Sequence, residues 1–302
     1  LKIPWSARAL RVQVPPWAPT STGFRGPVMS GLRTRIAPTP SGFLHAGNAL
    51  NFLITHQLAR GANGAILLRI DDLDTERVRA AYIEDIFESL NWLGIGWDEG
   101  PRDADELRRI WSQASRTGDA ARYLDVLGSA GHLYACTCSR KELEACSCRD
   151  RTVPFDAPGT TWRLRVPGSC IVTFNTWPQG SAQVDLRAAM RDPVLRQRNS
   201  APAYQLMSLC DDVRFGMNLI VRGEDLLPST ACQVYLAGLL GFQSFSGARF
   251  LHHPLLMDAK GVKLSKSAGA HSLRSERLRG HSPDALIAQA TETLARLSSL
   301  RV

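Results

Sequence analysis

The sequence predicts an α/β protein built on an open, largely parallel sheet, and three observations carry that expectation. Residues 33–37 alternate polar and apolar side chains as a half-buried strand does, then pass through a Pro38, Pro40, Gly42 turn into a run with helical apolar spacing from Asn48 to Arg60. Residues 64–70 (Gly-Ala-Ile-Leu-Leu-Arg-Ile) are too continuously apolar for a strand with one wet face, which suits a strand covered on both. Residues 218–226 form another apolar strand that ends in Arg222, Glu224 and Asp225. Open sheets of this kind bind ligands beyond the carboxyl ends of their strands, and the charged residues gather there.

Taken in order, residues 1–30 read as a tail. Pro15, Pro16 and Pro19 spoil any long amphipathic helix and no acidic residue is present, so an extension upstream of a working start at Met29 is expected. In the turn after the first strand, His45 and Gly47 fall where a helix begins. The backbone N–H groups there are unpaired and the helix dipole is positive, which favours phosphate oxygens, and a glycine permits close approach. Asp71, Asp72 and Asp74 follow the second strand. Asp74 or Thr75 is expected to cap a helix from Glu76 to Leu93, with Tyr82, Ile86, Leu90 and Leu93 as its apolar stripe, while Asp71 is left to the site. Residues 117–130 read as a helix closed by Gly131. Beyond it, Cys136-x-Cys138 and Cys146-x-Cys148 supply four soft ligands from two knuckles, the donor set of a closed, structural zinc site. Arg140, Lys141, Arg149 and Arg151 flank it, either as a grip for RNA or as a solvated basic face. Residues 161–166, 171–174 and 192–198 read as strands of an insertion of mixed α+β character. Helices are expected over 228–240 and after Ser282, and Cys170, Cys210 and Cys232 are expected in the core.

At 302 residues the chain holds a large core, and no run approaches the roughly 18 consecutive apolar residues of a membrane span. Its 36 Lys and Arg against 28 acidic residues give a net charge of +8, which suits a polyanion such as RNA without requiring one. Seven cysteines, four of them clustered, point to a metal and a reducing, cytoplasmic compartment rather than to a disulfide framework.

Two stretches together narrow the field. Residues 34–48, Thr-Arg-Ile-Ala-Pro-Thr-Pro-Ser-Gly-Phe-Leu-His-Ala-Gly-Asn, and residues 263–267, Lys-Leu-Ser-Lys-Ser, resemble the paired signatures of class I aminoacyl-tRNA synthetases, and the first resembles the glutamyl/glutaminyl branch. The resemblance spans roughly residues 33–269. It implies a Rossmann-type catalytic domain in two halves (31–115 and 201–270) around a zinc-knuckle insertion (116–200), with a short helical segment (271–302). It implies ATP with magnesium at Pro40, His45, Gly47, Asn48, Lys263, Ser265 and Lys266, where His45, Lys263 and Lys266 do the catalytic work. It also implies glutamate at Arg35, Ala37, Thr39, Asp71, Tyr204 and Arg222. The branch has glutamate where this chain has Asp71, so a contact to the ammonium group runs through a shifted backbone or a water. Only about 35 residues follow Ser267, too few for the helical anticodon reader of a glutamyl-tRNA synthetase. In this the chain resembles the glutamyl-queuosine tRNA(Asp) synthetases, which implies tRNA(Asp) as partner and a monomer. A truncated synthetase charging a tRNA 3′ end, a non-catalytic RNA-binding paralogue and a nucleotidyltransferase of the same fold stay open at this point.

Overall fold

The computed structural model describes residues 31–178, 180–256 and 272–299. The expected tail and the expected Lys263, Ser265 and Lys266 lie outside these. β1 (Arg33–Ile36) leads through the proline turn into α1 (Ala46–Gly61), and β2 (Ala65–Leu68) returns parallel to β1, with Arg33 opposite Ala65 and Ile36 opposite Leu68. Glu99 bridges Leu67 on the far side of β2, so this strand is flanked on both edges. Such a position explains its continuous apolar run: Ile66, Leu67 and Leu68 are all buried.

After α2 (Ala80–Trp92) and α3 (Thr117–Ser129) come β3 (Leu133–Cys136) and β4 (Thr161–Leu164), which pair antiparallel. Next are β5 (Ile171–Thr176), β6 (Ser181–Asp185) and β7 (Val194–Arg196), the last completing a β3–β4–β7 sheet. α4 (Tyr204–Arg214), β8 (Leu219–Gly223), α5 (Leu227–Leu240), β9 (Arg249–His253) and α6 (Asp284–Ser299) follow. β8 and β9 are parallel, and β8 lies beside β1 through Asn218 N–H to the Arg33 carbonyl at 3.0 Å. The order across the main sheet is therefore β2, β1, β8, β9, β5, β6. The chain winds outward in one direction from β1 to β2 and in the other from β8 to β9, so the crevice between β1 and β8 is the topological switch point.

Both faces of this sheet are covered, as alternation along its strands requires. Ile66 and Leu68 of β2, Leu219 and Val221 of β8, and Leu251 of β9 pack in one cluster with Ile54 of α1 and Ile86 and Leu90 of α2. Leu67, Ile220 and Phe250 turn the other way, toward Leu206 of α4 and Leu236 of α5. Cys170, Cys210 and Cys232 are buried in that second cluster, as expected. Ala290 of α6 is buried against the first, beside a Gln57 to Thr291 hydrogen bond of 2.9 Å. Among the described residues no helix is long and apolar enough to cross a membrane.

Two local expectations are corrected. α2 begins at Ala80, with Arg79 rather than Asp74 at its N-cap. The Asp74 carbonyl instead accepts the N–H groups of Arg77 and Val78 in a separate turn, and Val78 packs onto the core just before the helix. Residues 171–174, expected in the insertion, belong to a strand that pairs in parallel with β9 (Asn175 opposite Arg249) as well as antiparallel with β6. They extend the main sheet. The insertion's own sheet is β3–β4–β7.

Candidate active site and metal centre

The helix that leaves the proline turn is capped by His45. Its Nδ1 accepts the Gly47 N–H at 3.1 Å, and the Asn48 side-chain oxygen accepts the His45 N–H at 3.1 Å, a reciprocal capping pair. A neutral ring that accepts at Nδ1 carries its proton on Nε2, so His45 is set as a donor through that nitrogen. Gly47 packs closely under the ring: a Cβ there would sit 3.0 Å from its Cε1 and 3.1 Å from Nδ1, so a larger residue would push His45 aside by a few tenths of an ångström. Asn48 is engaged in this cap. Pro40 is buried and Ala37 and Thr39 half-buried in the turn. The turn lies against the end of β2, where the Asp71 N–H donates to the Pro38 carbonyl at 2.9 Å.

At the switch point four arginines converge. Arg35 comes from β1, Arg69 from just past β2, Arg222 from β8, and Arg116 from the turn before α3. Arg35, Arg69 and Arg222 are buried, Arg222 to 2 % exposure, and Arg116 is half-buried with its side chain turned inward. Asp212 of α4 joins three of them: Arg35 Nε at 3.0 Å, Arg69 Nη1 at 2.7 Å and Arg222 Nη2 at 3.7 Å. Asp211 receives the fork of Arg116 at 2.6 and 3.1 Å, and Gln113 bridges Asp211 and Asp71. Burial works to raise the Asp212 carboxyl, but Arg35 and Arg69, with Arg222, hold it below the ordinary carboxylate range. Burial lowers Arg222 from the usual arginine value.

The expected glutamate contacts divide here. Arg35 and Arg222 stand together, sharing Asp212. Arg222 does not pair with Glu224 or Asp225; Nη1 donates to Thr230 and Nη2 to Gln233, and its Nε is buried without a partner among the described residues. Burial first, and then the nearby Arg222, lower His252 to about 3, so this neighbour adds no charge. The Asp71 carboxylate accepts two bonds from Arg69 (2.7 and 3.1 Å) and one from Gln113 (3.1 Å). Of its roughly four acceptor sites one is left for a ligand. Tyr204 starts α4 and is 40 % exposed at the cluster's edge.

Asp211, Asp212, Arg69, Gln113 and Arg116 are not among the residues expected from the sequence. A signal existed for the first two. Tyr204, Ser208 and the Asp211/Asp212 pair recur at helical spacing, and charge on a helix interior between apolar neighbours demands buried partners.

The described flanks of the lysine loop end at this same edge. The Leu255 N–H points at the Glu224 carboxylate (3.5 Å), and Ser272 bridges His45 while Leu273 N–H donates to the Leu44 carbonyl.

At the end of β3 the four thiolate candidates meet. The sulfurs of Cys136, Cys138, Cys146 and Cys148 all lie within 4.8 Å of one another, with Cys136 to Cys146 at 3.7 Å and Cys138 to Cys148 at 3.6 Å. A tetrahedral zinc with bonds of about 2.3 Å sets sulfurs roughly 3.8 Å apart, so the donor set fits that ion and leaves no open position for catalysis. Although burial raises it, the Thr137 N–H and neighbouring thiols bring Cys148 down to about 7. Arg149 is drawn inward to Asp192 (2.5 Å) and the Val166 carbonyl, which removes it from the basic face; Lys141 and Arg151 stay exposed.

Residues 31–158 match the catalytic domain of the class I tRNA synthetases for glutamate and glutamine (E and Q). The glutamyl-Q tRNA(Asp) synthetase of Nitratidesulfovibrio vulgaris is 36% identical over 270 residues, 82% of this chain and 82% of that relative. The chain belongs to the class I glutamyl and glutaminyl tRNA synthetase family. A glutamyl-Q tRNA(Asp) synthetase from Synechococcus sp. is 38% identical over 87% of this chain and 83% of its own length. A glutamate–tRNA ligase from Aquifex aeolicus is 32% identical, but the match spans only 56% of that longer protein. Among solved structures, glutamate-tRNA synthetase from Elizabethkingia anophelis superposes with a TM-score of 0.65 at 26% identity, over 79% of this chain and 53% of that one. As a class I synthetase-type ligase, the chain carries the signature turn, the switch-point arginines and the cysteine knuckle described above.

Proposed function

We propose that this synthetase activates glutamate with ATP and transfers the glutamyl group to tRNA, with queuosine in the anticodon loop of tRNA(Asp) as the acceptor. The observation that carries the glutamate assignment is the buried cluster at the switch point, where four arginines face three aspartates. One guanidinium charge is left for a ligand, and glutamate's two carboxylates and one ammonium bring a single net negative charge. Arg35 and Arg222 take the carboxylates and the remaining acceptor site on Asp71 takes the ammonium, beside Tyr204, Ala37 and Thr39. The queuosine assignment is supported by the relatives named for it, which match over more than four-fifths of their length.

A carboxylate oxygen of glutamate attacks the α-phosphorus of ATP, and the bond to pyrophosphate breaks. His45 donates to a phosphate oxygen at the start of α1, where Pro40, Gly47 and Asn48 shape the turn. Lys263 and Lys266 offset the charge that grows on the leaving pyrophosphate, and Ser265 shapes their loop. Magnesium, when bound with ATP, would neutralise part of the phosphate charge. An acceptor hydroxyl then attacks the glutamyl carbonyl; an ester bond forms, the acyl–phosphate bond breaks, and AMP leaves and takes up the hydroxyl proton. Cys136, Cys138, Cys146 and Cys148 would hold zinc, which would serve there as a structural ion. Four reduced thiols suit the cytoplasm.

Glutamate-dependent exchange of labelled pyrophosphate into ATP, run with and without tRNA, tests this reading. Exchange without tRNA is expected. Exchange only when tRNA is added would favour a 3′-end charging enzyme, and none in either condition a non-catalytic paralogue.

A further inference from the structure

The four switch-point arginines are not partnered alike. Arg69 reaches Asp71 and Asp212, each at 2.7 Å, Arg116 reaches Asp211 at 2.6 Å, and Arg35 reaches Asp212 at 3.0 Å. Arg222 has no carboxylate at hydrogen-bond distance among the described residues. Asp212 stands 3.7 Å from its Nη2, and the Oδ1 of that aspartate already serves Arg35 and Arg69. The terminal nitrogens of Arg222 go instead to neutral oxygens on α5: Nη1 donates to the Thr230 hydroxyl at 3.0 Å and Nη2 to the Gln233 amide oxygen at 2.5 Å. Thr230 and Gln233 share one face of that helix, three residues apart, and both are fully buried. A guanidinium accepts no hydrogen bond, so Arg222 turns the Gln233 oxygen toward itself, and the amide Nε2 is buried without a partner among the described residues. The Thr230 hydroxyl in turn lies 2.9 Å from Nε2 of the neutral His252.

We propose that Gln233 is a specificity-determining residue of the amino-acid site, the neutral group that orients Arg222 and leaves its charge for a substrate carboxylate. This rests on the glutamate reading above. A buried arginine ordinarily meets a carboxylate, and a glutamate at position 233 would satisfy Arg222 with the same reach. The chain has the amide there. With it, four guanidinium groups face three carboxylates, whereas a carboxylate at 233 would make the two counts equal. Glutamate carries one net negative charge and fits the first arrangement; glutamine carries none and fits the second. Selectivity between them is a difference of two affinities, and this one position moves both in opposite directions.

Gln233→Glu tests the proposal with a side chain of nearly the same shape. Pyrophosphate exchange is measured with glutamate, glutamine and ATP varied in turn, bulk tRNA present and thermal melting alongside, for wild type, Gln233→Glu and Gln233→Met. In Gln233→Glu the ratio of kcat/KM for glutamate to that for glutamine is expected to fall at least tenfold, with the KM for ATP within twofold. Gln233→Met removes the acceptor and adds no charge, so it is expected to raise the KM for glutamate at least threefold while the wild-type preference for glutamate persists. A purely structural residue would weaken both amino acids and ATP together. An unchanged ratio in folded Gln233→Glu overturns the proposal. If that variant does not fold, Gln233→Met decides, and an unchanged KM for glutamate there overturns it. Wild-type protein that exchanges with neither amino acid, or prefers glutamine, overturns the glutamate reading itself; wild-type preference for glutamate with both variant effects missing overturns the proposal alone.

Discussion

Arg222→Gln lowers kcat/KM for glutamate in pyrophosphate exchange by at least about 100-fold. Hydrogen bonds to charged groups are worth about 1.5–3 kcal/mol each, and a guanidinium fork on a carboxylate makes two. Arg222 is 2 % exposed, its Nε has no partner among the described residues, and it stands next to Arg35 across Asp212. The fold should survive the change, because Asp212 keeps Arg35 at 3.0 Å and Arg69 at 2.7 Å. Arg222→Lys retains a charge but loses the planar fork, so it recovers little of the activity. Thermal melting run alongside the kinetics separates a binding loss from unfolding. A folded Arg222→Gln protein with wild-type affinity for glutamate would take Arg222 out of the site.

Disruption of the cysteine knuckle should show first in stability. Wild-type protein is expected to purify with one zinc per chain, and Cys136→Ala to lose it and melt at a temperature lower by roughly 5–10 °C. Zinc binding to such ligands is folding free energy, and each kcal/mol shifts the melting of a chain this size by a few degrees. Cys136 is fully buried at the end of β3 and Cys148 nearly so. Arg198 donates to the Thr137 and Cys138 carbonyls, which ties the knuckle to the 197–201 turn. The site binds as thiolates, so metal is lost as pH falls. Four freely reactive thiols and no zinc in native protein would sink the assignment.

What could be read from the chain follows the reach of the physics. The β2 run was legible because a strand covered on both faces must be apolar throughout, and Ile66 and Leu67 are indeed buried on opposite faces. The cap at His45 was legible because prolines and glycines break the chain just before a helical pattern. The four cysteines were legible because a reduced chain seldom spaces thiols so densely except to hold a metal. The start of α2 was not, since Asp74-Thr75-Glu76 looks like a cap and only packing at Val78 moves the helix on. The alternation in β5 says that one face is buried but not which sheet it joins, and its pairing with β9 crosses about 75 residues. Asp212 is marked by its place on the helix, but its partners were hidden for the same reason. Its meaning lies in Arg35, Arg69 and Arg222, brought from three strand ends.

The most direct test of the central claim is where the glutamyl group lands. Purified protein, ATP and labelled glutamate are incubated with bulk tRNA from a queuosine-making bacterium and from a strain that lacks the base, and the 3′-terminal nucleotides are then trimmed away. The account predicts label only on queuosine-bearing tRNA(Asp), retained after trimming. Label that appears equally on both pools and leaves with the 3′ end would contradict it.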